Sequence, residues 1–239
     1  VKLKTFKLLA GLAIAIACCS ADVRQAAAVD GSEISGSVGS WAPFLPTYEV
    51  GAASDDQDDY GFLARLRGHH RFDGYRTSIE GSIFYGDAGD TSLFGYEGLL
   101  RDTWEFSFAD LSAGGGFSQM TFDQDFAGTN LENDYTGGKV VAGFESMFGH
   151  RPFWIDFGLG LYDLNGTFTP AAGPVETIDE FTTTYSVALR TEACFFGVAA
   201  RPMMKFEFLS DMASYQNGQL GTDDGFILSS AIEFRLVGR

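Results

Sequence analysis

From about residue 33 onward the chain alternates with a period of two. The stretch Phe153-Trp154-Ile155-Asp156-Phe157-Gly158-Leu159-Gly160-Leu161-Tyr162 shows it most plainly. Phe153, Ile155, Phe157, Leu159 and Leu161 share one face and are all apolar; Trp154, Asp156, Gly158, Gly160 and Tyr162 share the other, which is mixed, small and partly charged. Successive side chains of a strand point to opposite faces, so this pattern predicts strands rather than helices. The same rhythm runs through Tyr60, Phe62, Ala64 and Leu66 against Leu63, Arg65 and Arg67. It recurs in Tyr185, Val187 and Leu189 against Ala188, Arg190 and Glu192. Met204, Phe206 and Phe208 alternate with Met203, Lys205 and Glu207, and Phe226, Leu228 and Ile232 with Ser229, Glu233 and Arg235.

Ten strands are predicted, over 33–42, 60–71, 75–86, 94–109, 111–122, 135–148, 153–165, 182–195, 198–210 and 224–237. The connections between them take turns. Short ones fall at 72–74, 109–111, 149–152 and 196–197, and long ones at 43–59, 87–93, 123–134, 166–181 and 211–223. Asp73-Gly74 between two alternating runs is a strong hairpin signal. Gly114-Gly115-Gly116 is expected to mark a bend or a bulge. No stretch after the N-terminal segment reaches 18 consecutive apolar residues, so no membrane-spanning helix is predicted.

An apolar band on every strand with charges opposite suits a barrel in lipid, where apolar residues face outward and polar residues inward. Together with the short–long alternation of connections, this pattern resembles the broad class of small Gram-negative outer-membrane β-barrels. The resemblance covers residues 33–239 and rests on pattern, without a family-specific motif. It implies an all-β fold, a transmembrane antiparallel up-and-down barrel of ten strands, in the bacterial outer membrane. An eight-strand count, with the N-terminal segment outside the wall, is the alternative, and a periplasmic soluble barrel or sandwich is a further one. It also implies outer-membrane lipid and lipopolysaccharide as surroundings, and periplasmic chaperones and barrel-assembly machinery as partners. One departure stands out: such barrels usually end on an aromatic residue, whereas here Phe234 is followed by Arg235-Leu236-Val237-Gly238-Arg239. Tyr60, Tyr75, Tyr85, Trp104 and Tyr185 are placed to form interface girdles.

The first 28 residues differ from the rest. Lys2, Lys4 and Lys7 precede an apolar run from Leu8 to Ala17, too short for a bilayer, and then the small-residue sites Cys19-Ser20-Ala21 and Ala26-Ala27-Ala28. Residues 1–28 are expected to be a signal peptide, with cleavage after Ala28 preferred over Ala21, and residues 29–239 the barrel domain. Lipidation at Cys18 is the alternative, disfavoured because the residues before it do not match the usual pattern. Once the segment is removed, Cys194, expected as a small inward residue, is the only cysteine, which excludes an intrachain disulfide.

The formal net charge of −16 makes nucleic acid an unsuitable partner. The charges are also segregated. The inward-facing set is expected to comprise Arg65, Arg67, Glu80, Glu105, Glu145, Asp156, Arg190, Glu192, Lys205, Glu207, Glu233 and Arg235, with signs mixed so that they can pair. The long connections carry acids without Lys or Arg: Glu49, Asp55, Asp56, Asp58, Asp59, Asp87, Asp90, Asp123, Asp125, Glu132, Asp134, Glu176, Asp179, Glu180, Asp211, Asp223 and Asp224. Solvated acidic loops are the plainest reading. A Ca²⁺ site at Asp55, Asp56, Asp58 and Asp59, or shared by Asp123, Asp125 and Asp134, is the sharper one, since hard cations take six to eight oxygens. No other cofactor is expected. No catalytic residues are expected either. The three histidines, His69, His70 and His150, all fall at the short-turn end, away from the Ser and Asp residues of the long connections. The expected function is non-enzymatic: a compact outer-membrane barrel with a structural or surface-binding role and acidic, cation-attracting loops. A narrow, cation-preferring pore is the alternative.

Overall fold

A computed structural model describes residues 31–46, 48–50, 53–55, 60–148, 151–195 and 198–237. The signal-peptide and Cys18 expectations, and Asp56, Asp58, Asp59 and His150, lie outside the described residues.

Thirteen strands are present among the described residues: β1 Ser32–Phe44, β2 Tyr48–Val50, β3 Ala53–Asp55, β4 Gly61–Arg71, β5 Thr77–Ala88, β6 Thr91–Glu105, β7 Asp110–Phe126, β8 Thr129–Phe148, β9 Arg151–Thr169, β10 Glu176–Thr191, β11 Ala193–Phe195, β12 Val198–Gln216 and β13 Gln219–Val237. β4 to β10 pair in sequence, β1 bridges β4 and β13, and β12 joins β13 to β10, so the antiparallel sheet closes into a ten-strand barrel. β11 continues the β10 side against β12, and β2–β3 form a separate small hairpin.

Outward exposure settles the direction of the alternation. Phe157 is 52% exposed and Leu161 44%, while Asp156 on the opposite face is turned into the barrel. Ile79, Ile83, Leu100, Val140, Met204, Phe206 and Ile232 share the outer surface. Such a surface is stable in hydrocarbon and would be a liability in water. Of the residues expected in the girdles, Tyr60, Tyr75, Trp104 and Tyr185 are exposed and Tyr85 is half-buried.

Every predicted strand is found, but three predicted loops are strand. Residues 87–93, 123–134 and 211–223 turn in only two residues each, at Gly89-Asp90, Ala127-Gly128 and Asn217-Gly218. Ala127, Gly128, Asn217 and Gly218 all have positive φ, as tight hairpin turns demand. β8 is therefore 20 residues long and β9, β12 and β13 are 19 each, well beyond the roughly 9–11 residues that cross a bilayer. The surplus rises above the apolar belt at one end, taken here as the outer end.

Across the belt boundary the apolar face changes sides. Below it β9 turns Phe157, Leu159 and Leu161 outward; above it the outward residues are Asp163, Asn165 and Thr167, and the inward ones Tyr162, Leu164 and Phe168. The outside there meets water, so the apolar residues pack inside instead. Gly114-Gly115-Gly116 makes no bulge and runs unbroken through the β6 and β7 ladder. A Cβ on Gly116 would come within 1.9 Å of the Gly98 carbonyl, so close strand approach accounts for glycine there. Cys194 is exposed rather than inward: the break at Glu192, between β10 and β11, interrupts the face assignment.

Candidate functional site in the barrel lumen

The inner half of the lumen is lined by a chain of ion pairs that crosses five strands. Glu80 on β5 accepts from Arg67 Nη2 on β4 at 2.7 Å and faces Arg101 Nε on β6 at 3.3 Å. Arg101 Nη1 donates to Asp156 Oδ1 on β9 at 2.7 Å, and Arg190 Nη2 on β10 to Asp156 Oδ2 at 2.5 Å. Nearer the outer half, Lys139 Nζ meets Glu97 at 2.8 Å and Lys205 Nζ meets Glu207 at 2.6 Å. The Arg65 guanidinium lies over the Phe84 ring, 5.1 Å from its centroid. At the inner rim Arg201 contacts Glu33 at 2.5 Å, Glu233 at 3.3 Å and Glu192 at 3.6 Å, and Arg235 adds Glu33 at 3.0 Å.

Most of the expected inward set lies here, with three exceptions. Glu105 is at the rim, where it pairs with Arg71 in solvent, because its strand ends at that residue. Glu192 and Arg235 are also largely exposed at the rim. Glu145 lines the inner vestibule beside Trp154. Five participants escaped the sequence reading: Glu33, Glu97, Arg101, Lys139 and Arg201. The signal was available: Lys139 lies six positions before Glu145 on the same face of β8, and Glu97 and Arg101 share a face of β6 with Glu105.

The outer half of the lumen is apolar. Trp41, Leu63, Phe84, Met120, Phe122, Tyr135, Tyr162, Leu209 and Met212 form one buried cluster. Above it Tyr48, fully buried, stoppers the mouth. Its hydroxyl is 2.6 Å from Thr129 Oγ1, and its ring packs among Phe126, Phe168 and Tyr215. The β12–β13 hairpin helps to close the mouth. At Asp211, with φ +52, β12 leaves the wall. Ala213 then crosses the interior, its N–H donating to Asn133 Oδ1 of β8 at 2.7 Å. A Cβ on Gly166 would sit 2.4 Å from Ala213 Cβ, so this crossing needs a glycine on β9. The remaining space tapers outward. A vestibule of 340 Å³ opens at the inner end, a cavity of 70 Å³ follows, and one of 20 Å³ ends against Trp41, Phe84 and Met120. The last is about the size of a single water.

Asp123, Asp125, Glu132 and Asp134, expected in an outer loop, stand instead on the outward faces of raised strands. Asp123 and Asp125 on β7 both accept from Asn130 of β8, the latter at 3.1 Å, and Asp134 accepts from Thr121. Glu132 lies opposite Asp123 in the ladder. Partial burial first, then the Asp134 charge and hydrogen bond, and Asp123 beyond, push the Glu132 carboxyl above the usual range. Asp123, Asp125 and Asp134 thus share a face, but no group of three or more His, Cys, Asp or Glu arranged to hold a metal ion occurs among the described residues. Asp55 is in β3. Of the histidines, His69 points into the vestibule and His70 outward, with Nδ1 2.8 Å from Ser32 Oγ.

A closed antiparallel barrel with an apolar belt and an ion-paired interior defines the class by its fold: the chain is a β-barrel built to cross a lipid bilayer with its strands. No protein-family model and no curated protein matches it. Solved structures similar to it include the translocator domain of the autotransporter NalP from Neisseria meningitidis, at 11% identity and TM-score 0.44, covering 93% of this chain and 97% of that one. Neisserial surface protein A is similar at 9% identity and TM-score 0.37, covering 86% and 97%. A deletion mutant of the TodX monoaromatic hydrocarbon channel is similar at 9% identity and TM-score 0.35, covering 85% and 68%.

Proposed function

We propose that this barrel is a non-enzymatic surface protein of the outer membrane: a stoppered cylinder that supports the envelope and presents an acidic outer wall. The observation that carries this reading is the double closure of the lumen. Above an open inner vestibule an ion-paired layer crosses the lumen, an aromatic layer fills the outer half, and the residual space dwindles to 20 Å³ where the two meet. A paired charge offers little to a passing ion, and a cavity with room for about one water, closed above by Trp41, Phe84 and Met120, provides no continuous water path. The acidic wall stands beside the phosphates of lipopolysaccharide. Like charges there repel unless divalent cations bridge them, and Ca²⁺ held between Asp123, Asp134 and lipid phosphate would do so.

Planar-bilayer recording of the refolded protein, with and without millimolar Ca²⁺, tests the reading. The intact protein is expected to insert without conducting. The triple variant Trp41→Ala, Tyr135→Ala, Tyr162→Ala is expected to give current steps through the opened aromatic layer. Discrete cation-selective steps from the intact protein would overturn the reading in favour of a narrow cation-preferring pore.

A further inference from the structure

The barrel wall is split at its outer end, and the split leaves a strand edge open. β10 pairs with β9 along its whole length, from Glu176 to Thr191, but with β12 only from Thr184 to Arg190. The seam ends at Ser210. Its hydroxyl donates to the Thr183 carbonyl at 2.9 Å and accepts from the Thr183 N–H at 3.3 Å, replacing the next rung of the ladder. Beyond it β12 turns inward at Asp211 to cross the mouth, so no strand among the described residues lies against β10 above Thr183.

Alternate residues of a strand direct both backbone groups to the same side. Because those of Thr183 face the seam, those of Thr177, Asp179 and Phe181 face the open edge. Phe181, at 65% exposed, Asp179 and Thr177 also present their side chains outward. The surroundings are acidic throughout. Asp163, Asp179, Glu180, Asp211, Asp223 and Asp224 are exposed, and no Lys or Arg occurs in 163–189 or 206–234.

We infer that the outer edge of β10, Thr177 to Phe181, is a docking site for an extended cationic peptide segment, which adds to the sheet as an extra strand. Backbone hydrogen bonds would supply the pairing, and Lys or Arg residues at alternate positions, all on the outward face, would meet Asp179 with one charge and lay the stem of the next over Phe181. A second copy of this chain fits poorly, since edge-to-edge pairing of two β10 strands brings acid against acid. The inference rests on the reading that the outer wall is a binding surface.

The test uses the full chain folded in uncharged detergent micelles, with its barrel state checked by heat-modifiable gel mobility. The probe is a short fluorescent peptide of alternating Lys and Val. A second peptide of the same charge is N-methylated at alternate residues, so that it cannot pair along one edge. Thr177→Pro removes one edge donor without changing the charge or the β9 ladder, and proline is tolerated on edge strands. The first peptide is expected to bind, with salt weakening it. N-methylation is expected to weaken it about tenfold or more, as the loss of several backbone hydrogen bonds requires, and Thr177→Pro to weaken it measurably. Equal binding of both peptides would reduce the effect to charge attraction and overturn the inference. So would a Thr177→Pro variant that binds as tightly as the parent, an absence of binding, or concentration-dependent dimers that replace the peptide. A protein that binds neither peptide yet never conducts would overturn the docking site alone and leave the stoppered barrel standing.

Discussion

Asp156 is the most informative single position in the lumen. Among the described residues it is the one acid that pairs with both Arg101 and Arg190, whose side chains are only 11% and 12% exposed. Asp156→Ala would leave Arg190 without an ion pair, while Arg101 keeps Glu80 at 3.3 Å. Breaking a buried pair by removing one partner typically costs about 3–5 kcal/mol, because the remaining charge stays desolvated. Urea unfolding of the protein in lipid vesicles, followed by heat-modifiable mobility, should therefore show a loss of about that size. Glu105→Ala provides the contrast. Its pair with Arg71 is 63% and 48% exposed, and such pairs contribute about 1 kcal/mol or less. The double variant Asp156→Ala, Arg190→Met should recover most of the loss, since an apolar replacement of a whole buried pair is often close to neutral. A single Asp156→Ala within about 1 kcal/mol of the parent would refute the reasoning, because the freed Arg190 guanidinium would then have to be hydrated from the vestibule rather than left desolvated.

Two further outcomes are expected. Phe157→Arg, in the middle of the outward run on β9, should destabilise the vesicle-embedded protein by about 2–4 kcal/mol, whereas Asp163→Arg on the same face above the belt should stay within about 0.5 kcal/mol; equal effects would place both in water. Glu132→Gln should raise the thermal midpoint at neutral pH and leave it unchanged in acid. A carboxyl whose folded pKa is raised contributes its stabilisation below the unfolded pKa and loses it as pH rises through the folded one. An effect of the same size at both pH values, or a lowered midpoint at neutral pH, would contradict the repulsion from Asp134 and Asp123.

The strands, their two faces and the lipid-facing direction of Phe153 to Leu161 were legible along the chain, because a period of two is local and the belt is continuous. The inward direction of Arg65, Arg67, Glu80, Asp156, Arg190, Lys205 and Glu207 followed from the same rule. The raised outer wall was harder to see. There the exterior meets water, the apolar face moves inside, and Asp123, Asp125, Glu132 and Asp134 look like loop when they stand on strands. The Asn217-Gly218 turn signal and the inward series Leu131, Asn133, Tyr135 could have revealed it. Other features had no local signature. That Asp156 of β9 falls between Arg101 of β6 and Arg190 of β10 depends on closure and stagger, which bring distant strands to one level. The inward turn of β12 at Asp211, held by Asn133 80 residues away in the chain, likewise exists only once the barrel has formed. Which side of each strand meets lipid is written in neighbouring residues, because alternation is local. That the lumen is stoppered and one edge left open depends on contacts across the barrel, which exist only in the closed fold.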